Sequence, residues 1–265
     1  MDRWSIWYRI GVWVRDLLFP PICVGCGCTL PPARPEAGIF CSGCRDAWEK
    51  DCEEARLSMG GLLPDALAVG GCSRHIFLTG YHPGREQGVS EKLIYHMKHT
   101  DDSRTFEFVA NALIPYVVEA FPDLRFDRIW FTYAPRRRRA VVTYGVDQSE
   151  KIAKELARIC GGTFVPLLER RGGREQKKLT AAERKENVAA VFSLKDEYRD
   201  AVVGKTIVLV DDLLTTGATL GLCASILASA GASEVVALTV ASTMERDEET
   251  RRQTGKGRTK RKKKR

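Results

Sequence analysis

The sequence predicts an α/β protein: a parallel sheet covered by helices on both faces and preceded by a small four-cysteine zinc module. Three observations predict it. Short apolar runs of strand length alternate with amphipathic helical patterns over most of the 265 residues. Two CxxC pairs, Cys23 with Cys26 and Cys41 with Cys44, stand close together near the start. One apolar run, residues 207–210, leads straight into the adjacent acids Asp211 and Asp212 and then a turn of small residues.

Residues 1–22 place Trp7, Ile10, Val14, Leu17 and Leu18 on one helical face that stops at Pro20 and Pro21. This predicts an amphipathic helix docked on the rest of the protein; a helix lying on a membrane surface is the other reading. Arg3, Arg9, Arg15 and Asp16 interrupt the apolar run. It therefore resembles neither a signal peptide nor a span of roughly 20 apolar residues, and a cytoplasmic protein is expected.

Residues 23–60 form the predicted zinc module. The knuckles CVGC and CSGC put four thiolates, from Cys23, Cys26, Cys41 and Cys44, within reach of one tetrahedral ion, with Gly25 and Gly43 relaxing the turns. Zinc bound there would supply much of the module's folding energy. Reduced thiols or disulfides are the alternative. Cys28 could replace Cys26 as a ligand after a small register change. The segment PPARPEAG between the knuckles reads as a loop. Cys52, Cys72, Cys160 and Cys223 stand alone and are expected to be small buried apolar residues.

A polar, glycine-containing stretch (58–71) separates this module from the larger domain, 72–245. VSEKLIYHMKH carries Val89, Leu93 and Met97 at helical spacing, and FEFVANALIPYVVEAF is helix-like with a kink expected at Pro115. RIWFTYA reads as a strand. DQSEKIAKELARICGG is a helix opened by Asp147 and Glu150 in a capping-box relation and closed on Gly161 and Gly162. Short apolar runs follow at 164–168 and 188–192, then the strand at Ile207, a helix through Leu220, Cys223 and Leu227, and a last strand, EVVALTVAS. The four histidines form no ligand spacing. The formal charge of +8 lies wholly in the tail, residues 246–265, where eleven Lys or Arg face three acids. With no apolar residue to bury in its last fifteen positions, the tail is expected to be disordered. It is either a solubilising end or a non-specific arm for nucleic acid.

In such sheets ligands collect beyond the carboxyl ends of the strands. Asp211 and Asp212 lie at that end of a central-looking strand, where the pair is costly to bury without partners. Neighbouring hydroxyls of a ribose can donate to them, and a divalent cation can offset their charge. Thr215, Thr216, Gly217, Ala218 and Thr219 then make a small-residue turn at a helix N-terminus, where backbone N–H groups and hydroxyls cradle a phosphate. Together they describe a ribose 5-phosphate site; an ordinary helix cap with Asp212 solvated is the bland reading.

The run IVLVDDLLTTGAT resembles the phosphoribosyl-diphosphate signature of type I phosphoribosyltransferases. With the knuckles in front of it, the stretch 10–245 resembles the ComF family of competence-associated proteins. LLFPPICVGCG and FCSGC are similar to that family's zinc element, and KLIYHMKHTDD, YGVDQSEKIAKELA and LLERRGGREQKKLTAAERKENVAAVF to its further motifs. Where the family usually has RGFNQ, this chain has Tyr144, Gly145, Val146, Asp147 and Gln148; Arg136, Arg137, Arg138 and Arg139 just upstream either restore the charge or form a solvated turn.

The resemblance implies structural zinc and magnesium with phosphoribosyl diphosphate. The ribose hydroxyls would lie on Asp211 and Asp212, and the 5-phosphate on the loop that runs through Leu213, Leu214, Thr215, Thr216, Gly217, Ala218 and Thr219. Lys98 is the candidate for the diphosphate, with a surface lysine as the bland alternative. Arg174, Gln176, Arg184 and Asn187 are candidates for a lid, hinged at Gly172 and Gly173. Lys98 and Arg184 are the catalytic candidates. Leu213, Leu214, Thr215 and Thr216 stand where purine-salvage members usually carry a carboxylate just before the TG, so no general base is apparent. Two functions follow: handling of single-stranded DNA in natural transformation, or phosphoribosyl transfer to an acceptor that the sequence does not name; an interaction module whose zinc element and aromatic N-terminus dock a helicase-type partner is a third. In either case phosphoribosyl diphosphate or a nucleotide is the expected ligand.

Overall fold

The structure, a computed structural model, describes residues 11, 14–31, 38–58, 69–84, 88–122, 125–136, 141–142, 145–171 and 191–243. Its centre is a five-stranded, all-parallel sheet in the order β1 (Arg74–Tyr81), β7 (Glu234–Thr243), β6 (Thr206–Leu214), β2 (Ile129–Tyr133) and β3 (Thr163–Phe164). The two central strands are buried along nearly their whole length because both faces are covered, which is why they read as continuous apolar runs.

Alternation along these strands divides the core. Val208, Val210, Val236 and Leu238 pack with helices α2 (Val89–His99), α3 (Ser103–Ala120) and α4 (Gln148–Cys160). Ile207, Leu209, Val235 and Ala237 pack on the other face against α5 (Ala218–Ser229). Each such fully buried aliphatic side chain contributes about 1.5–3 kcal/mol. A separate antiparallel ladder, β4 (Leu168–Arg170) with β5 (Phe192–Leu194), belongs to this second layer.

The caps fall where the residues require them. Asp147 accepts from the Glu150 N–H at the start of α4, and Gly161 ends that helix in the left-handed region at φ 71°. Helix α3 runs through Pro115 without an assigned break. The apolar run at 164–168 yields only the two-residue edge strand β3 before the chain turns into the β4–β5 ladder.

The cysteine region is joined to the main core. Helix α1 (Ser42–Ser58) follows Cys41, and Cys23, Ile39, Phe40 and Trp48 share one buried cluster with Met97 and Val109. Phe40 meets Phe108 of α3 edge-on at 5.4 Å between ring centroids. The segment at 14–18 is helical, and the described part of its expected docking face is exposed: Leu17 is 59% and Leu18 68% accessible, while Asp16 is buried; Trp7 and Ile10 lie outside the described residues. Among the described residues no helix is long and apolar enough to cross a membrane. The basic tail and the lid candidates Arg174, Gln176, Arg184 and Asn187 lie outside the described residues.

Candidate functional site

The acids sit where the sheet opens. The ladder between β2 and β6 ends at the pairing of Tyr133 with Val210, whereas β6 continues against β7 through Asp211 and Leu213. Beyond Val210 the side of β6 toward β2 therefore has no strand neighbour among the described residues, and charged side chains lie there. The Arg136 guanidinium donates to Asp212 Oδ2, and Lys98 Nζ lies 3.9 Å from the same oxygen. Asp212 is only 6% exposed, so these cations offset a carboxylate that would otherwise be costly there. Asp211 accepts from Ser149 Oγ at 3.0 Å and from the Asp212 backbone N–H at 2.9 Å. Burial and the Asp212 charge beside it push the Asp211 carboxyl well above the usual carboxylate range.

The sequence pattern YGVDQ holds both cations in place. Asp147 Oδ2 accepts from the Arg136 backbone N–H at 3.1 Å, and Gln148 Nε2 donates to the Lys98 carbonyl at 3.4 Å. Asp147 thus anchors the backbone of Arg136, and Gln148 the end of α2, both beside Asp212. Of the four arginines in sequence, Arg136 reaches the acids; residues 137–139 lie outside the described residues.

Immediately after β6 the chain turns through Thr215 and Thr216, both exposed, to Gly217 at φ 71°. That left-handed conformation suits glycine. No side chain caps α5 as its N-cap, and the Ala218 N–H makes only a long 3.5 Å contact with Thr216 Oγ1. The first N–H groups of α5 and the Thr215, Thr216 and Thr219 hydroxyls are therefore available to an anion, whose charge the helix dipole favours. A pair of carboxylates and an uncapped helix start, one turn apart, offer acceptors to a polyol and donors to a phosphate.

The cysteines converge. The sulfurs of Cys23, Cys26, Cys28 and Cys41 all lie within 4.8 Å of one another, a group able to hold a metal ion. Cys26 Sγ and Cys41 Sγ are 3.7 Å apart. A tetrahedron with four bonds of about 2.3 Å has edges of about 3.8 Å, so this pair fits zinc. The Cys28 backbone N–H, first among several contacts, holds the Cys26 thiol down to about 6, toward the ligating thiolate. Cys44 flanks the group: its Sγ comes within 2.6 Å of where a side chain on Gly25 would begin. Sequence spacing pairs Cys44 with Cys41, whereas the fold places Cys28 beside Cys26 rather than in its stead.

Residues 149–260 match the family model of the phosphoribosyl transferase domain. The chain is phosphoribosyltransferase-like over that stretch, and its helix-flanked parallel sheet has the phosphoribosyltransferase fold. Among solved structures, adenine phosphoribosyltransferase from Saccharomyces cerevisiae is 18% identical over 52% of this chain and 68% of its own, at a TM-score of 0.34. A purine phosphoribosyltransferase from Pyrococcus horikoshii is 15% identical over 52% of this chain and 84% of its own, at 0.30. The glutamine phosphoribosylpyrophosphate amidotransferase of B. subtilis is 20% identical at 0.37; the match spans 55% of this chain and 30% of that one. No curated protein matches the chain.

Proposed function

We propose that this protein binds phosphoribosyl diphosphate with magnesium at the carboxyl end of β6 and transfers its phosphoribosyl group to an acceptor. The observation that carries the reading is the Asp211–Asp212 pair leading, through the glycine-hinged turn at Gly217, into the uncapped start of α5. Asp211 and Asp212 take the ribose hydroxyls. The backbone N–H groups and hydroxyls of residues 215–219 take the 5-phosphate, with Leu213 and Leu214 setting the approach of the strand. Arg136 and Lys98, which neutralise Asp212 in the free protein, face the side from which the diphosphate arrives. Hydroxyls donating to Asp212 release the guanidinium toward that leaving group, whose developing charge it stabilises. Magnesium supplies further charge neutralisation to the diphosphate when bound. Arg184 and the other lid candidates keep the roles that the resemblance implies.

The thiol cluster is read as a structural zinc site. Cys23, Cys26 and Cys41 are common to the spacing and the geometry, and either Cys44 or Cys28 supplies the fourth sulfur.

The finer, ComF-like reading assigns the protein to single-stranded DNA handling in natural transformation, with a helicase-type partner. What favours it is the tail, which carries the whole charge excess of +8. Phosphoribosyl-diphosphate binding is common to both readings.

Thermal unfolding with and without magnesium and phosphoribosyl diphosphate tests the common step. Ligand at a hundred times its dissociation constant adds about 2.7 kcal/mol of stability. Asp211→Asn combined with Asp212→Asn abolishes that gain while the protein stays folded; an undiminished gain in the double variant places the ligand elsewhere.

A further inference from the structure

Five thiols gather where a tetrahedral zinc ion takes four. Cys23, Cys26 and Cys41 are common to every arrangement of ligands, and two further sulfurs flank them. The Cys44 thiol hydrogen-bonds with all three, and the Cys28 thiol with Cys26 and Cys41. One of the two flanking sulfurs is therefore surplus to the ion.

Burial decides between them. Cys44 is partly buried and packs against the main core. A Cβ on Gly25 would stand 2.6 Å from its sulfur, so the backbone of the first knuckle leaves the room that Cys44 occupies. Cys28 is exposed, and so is Cys26 beside it. Gly27, at φ 75°, turns the chain between the two, and the Cys28 carbonyl accepts from the Cys23 N–H at 2.8 Å. With Cys23, Cys26, Cys41 and Cys44 on the ion, Cys28 is left unligated at the surface, its sulfur within 4.8 Å of three ligand sulfurs.

A ligand sulfur shares an electron pair with its metal; the surplus sulfur keeps its own and is the nucleophile of the group. An accessible cysteine with a second sulfur in reach can be oxidised and then resolved as a disulfide. Resting on the reading of the thiol cluster as a zinc site, we propose that Cys28 is an oxidation site for hydroperoxides, and that Cys26 closes a disulfide with it and so gives up zinc. The Cys28 sulfur attacks the terminal peroxide oxygen and the O–O bond breaks. The other oxygen leaves as water or an alcohol, taking the thiol proton, and Cys28 becomes a sulfenic acid. The Cys26 sulfur, withdrawing from the ion, then displaces hydroxide from Cys28, and a solvent proton turns that hydroxide into water. The two sulfurs give up one electron each, and the peroxide accepts both. Three thiolates remain for a metal that structural sites hold with four, and zinc leaves. A dithiol reverses the bridge by exchange.

The modification reaches beyond the knuckle. Lys92 Nζ of α2 donates to the Gly25 carbonyl at 2.8 Å, and Cys23 shares a buried cluster with Met97 of the same helix. At the end of α2, Lys98 lies 3.9 Å from Asp212. Oxidation at Cys26 and Cys28 therefore loosens the packing of the helix that brings a cation to the acids, and the oxidised chain melts at a lower temperature.

Zinc content, measured first on the reduced full chain, tests the reading on which this rests. Hydrogen peroxide is then added with a zinc-sensing dye, and cysteine pairing is mapped by peptide mass. The parent chain releases its zinc as the peptide carrying Cys26 and Cys28 loses two hydrogens, and a dithiol with added zinc reverses both changes. Cys28→Ser holds zinc as the parent does and releases it to peroxide about tenfold more slowly or slower still. If the reduced chain holds no zinc, the zinc reading falls and the inference with it. If zinc is present, three results overturn the inference alone: a folded Cys28→Ser without zinc, release from it at the parent's rate, or a bridge elsewhere in the oxidised parent. The position of that bridge decides the case should Cys28→Ser not fold.

Discussion

Replacing Arg136 by methionine removes a guanidinium while keeping most of the aliphatic stem. The charge lost is the one that donates to Asp212, a carboxylate only 6% exposed. Stripping one partner from a fully buried ion pair costs about 3–5 kcal/mol. The Arg136 side chain is 19% exposed and Lys98 remains 3.9 Å away, so the cost here falls to about 2 kcal/mol. For a protein of this size that is a fall in melting temperature of about 4–8 °C. A double-mutant cycle isolates the contact. Asp212→Asn removes the stranded charge, so adding it to Arg136→Met recovers most of the loss, a coupling of about 2 kcal/mol from urea unfolding. The backbone bond from Arg136 to Asp147 survives in every member of the cycle, which keeps the loop fixed. Additive single effects, with coupling below about 0.5 kcal/mol, would refute the claim that Arg136 exists to neutralise Asp212.

Three further outcomes follow from the same geometry. Elemental analysis yields one zinc per chain, lost with Cys41→Ser. The weaker retention between Cys28→Ser and Cys44→Ser identifies the fourth ligand, and because Cys23, Phe40 and Trp48 share a core cluster with α2 and α3, chelation lowers the stability of the whole domain; zinc well below half an equivalent contradicts the site. His75 is 1% exposed with Nε2 2.9 Å from Thr239 Oγ1, and burial holds its imidazole down to about 4. The unfolded chain thus binds the proton first, and stability falls as pH drops from about 6.5 toward 4, by up to about 3 kcal/mol. His75→Gln removes that slope, and an unchanged profile assigns it to other groups. Deleting residues 251–265 weakens single-stranded DNA binding alike for all sequences and, if about six of its cations engage the strand, flattens the log–log salt slope by about 4. An unaltered slope leaves the tail with no part in DNA handling.

The parts legible in the sequence were those with a local cause. The run into Asp211 and Asp212, the glycine turn and the Asp147 cap each follow from neighbours a few residues apart, and each stands where the pattern put it. What stayed hidden depends on contacts between distant segments. The pairing of Lys98 and Arg136 on one carboxylate joins α2, the loop after β2 and β6, which no spacing reveals. Glu91 reads in sequence as an ordinary first-turn acid of a helix; only the fold shows its second oxygen buried without a hydrogen-bond partner among the described residues. Strand β1 carries a local signal, the run HIFLTGY, but its place at the sheet edge beside β7 depends on pairing with residues some 160 positions away. Of the predicted face of the first helix, Val14, Leu17 and Leu18 are exposed, while Trp7 and Ile10 lie outside the described residues. The fifth thiol, Cys28, reads in sequence as a substitute for Cys26, yet the chain folds both into one group.

The central claim is that β6 and the start of α5 form one sugar-phosphate site. A crystal structure with magnesium and phosphoribosyl diphosphate tests it most directly. The account predicts ribose hydroxyls within about 3 Å of Asp211 and Asp212, the 5-phosphate on the N–H groups of residues 215–219, and the Arg136 guanidinium turned from Asp212 to the diphosphate. A ligand seated away from β6, with Arg136 still on Asp212 and the α5 N-terminus bare, would contradict it.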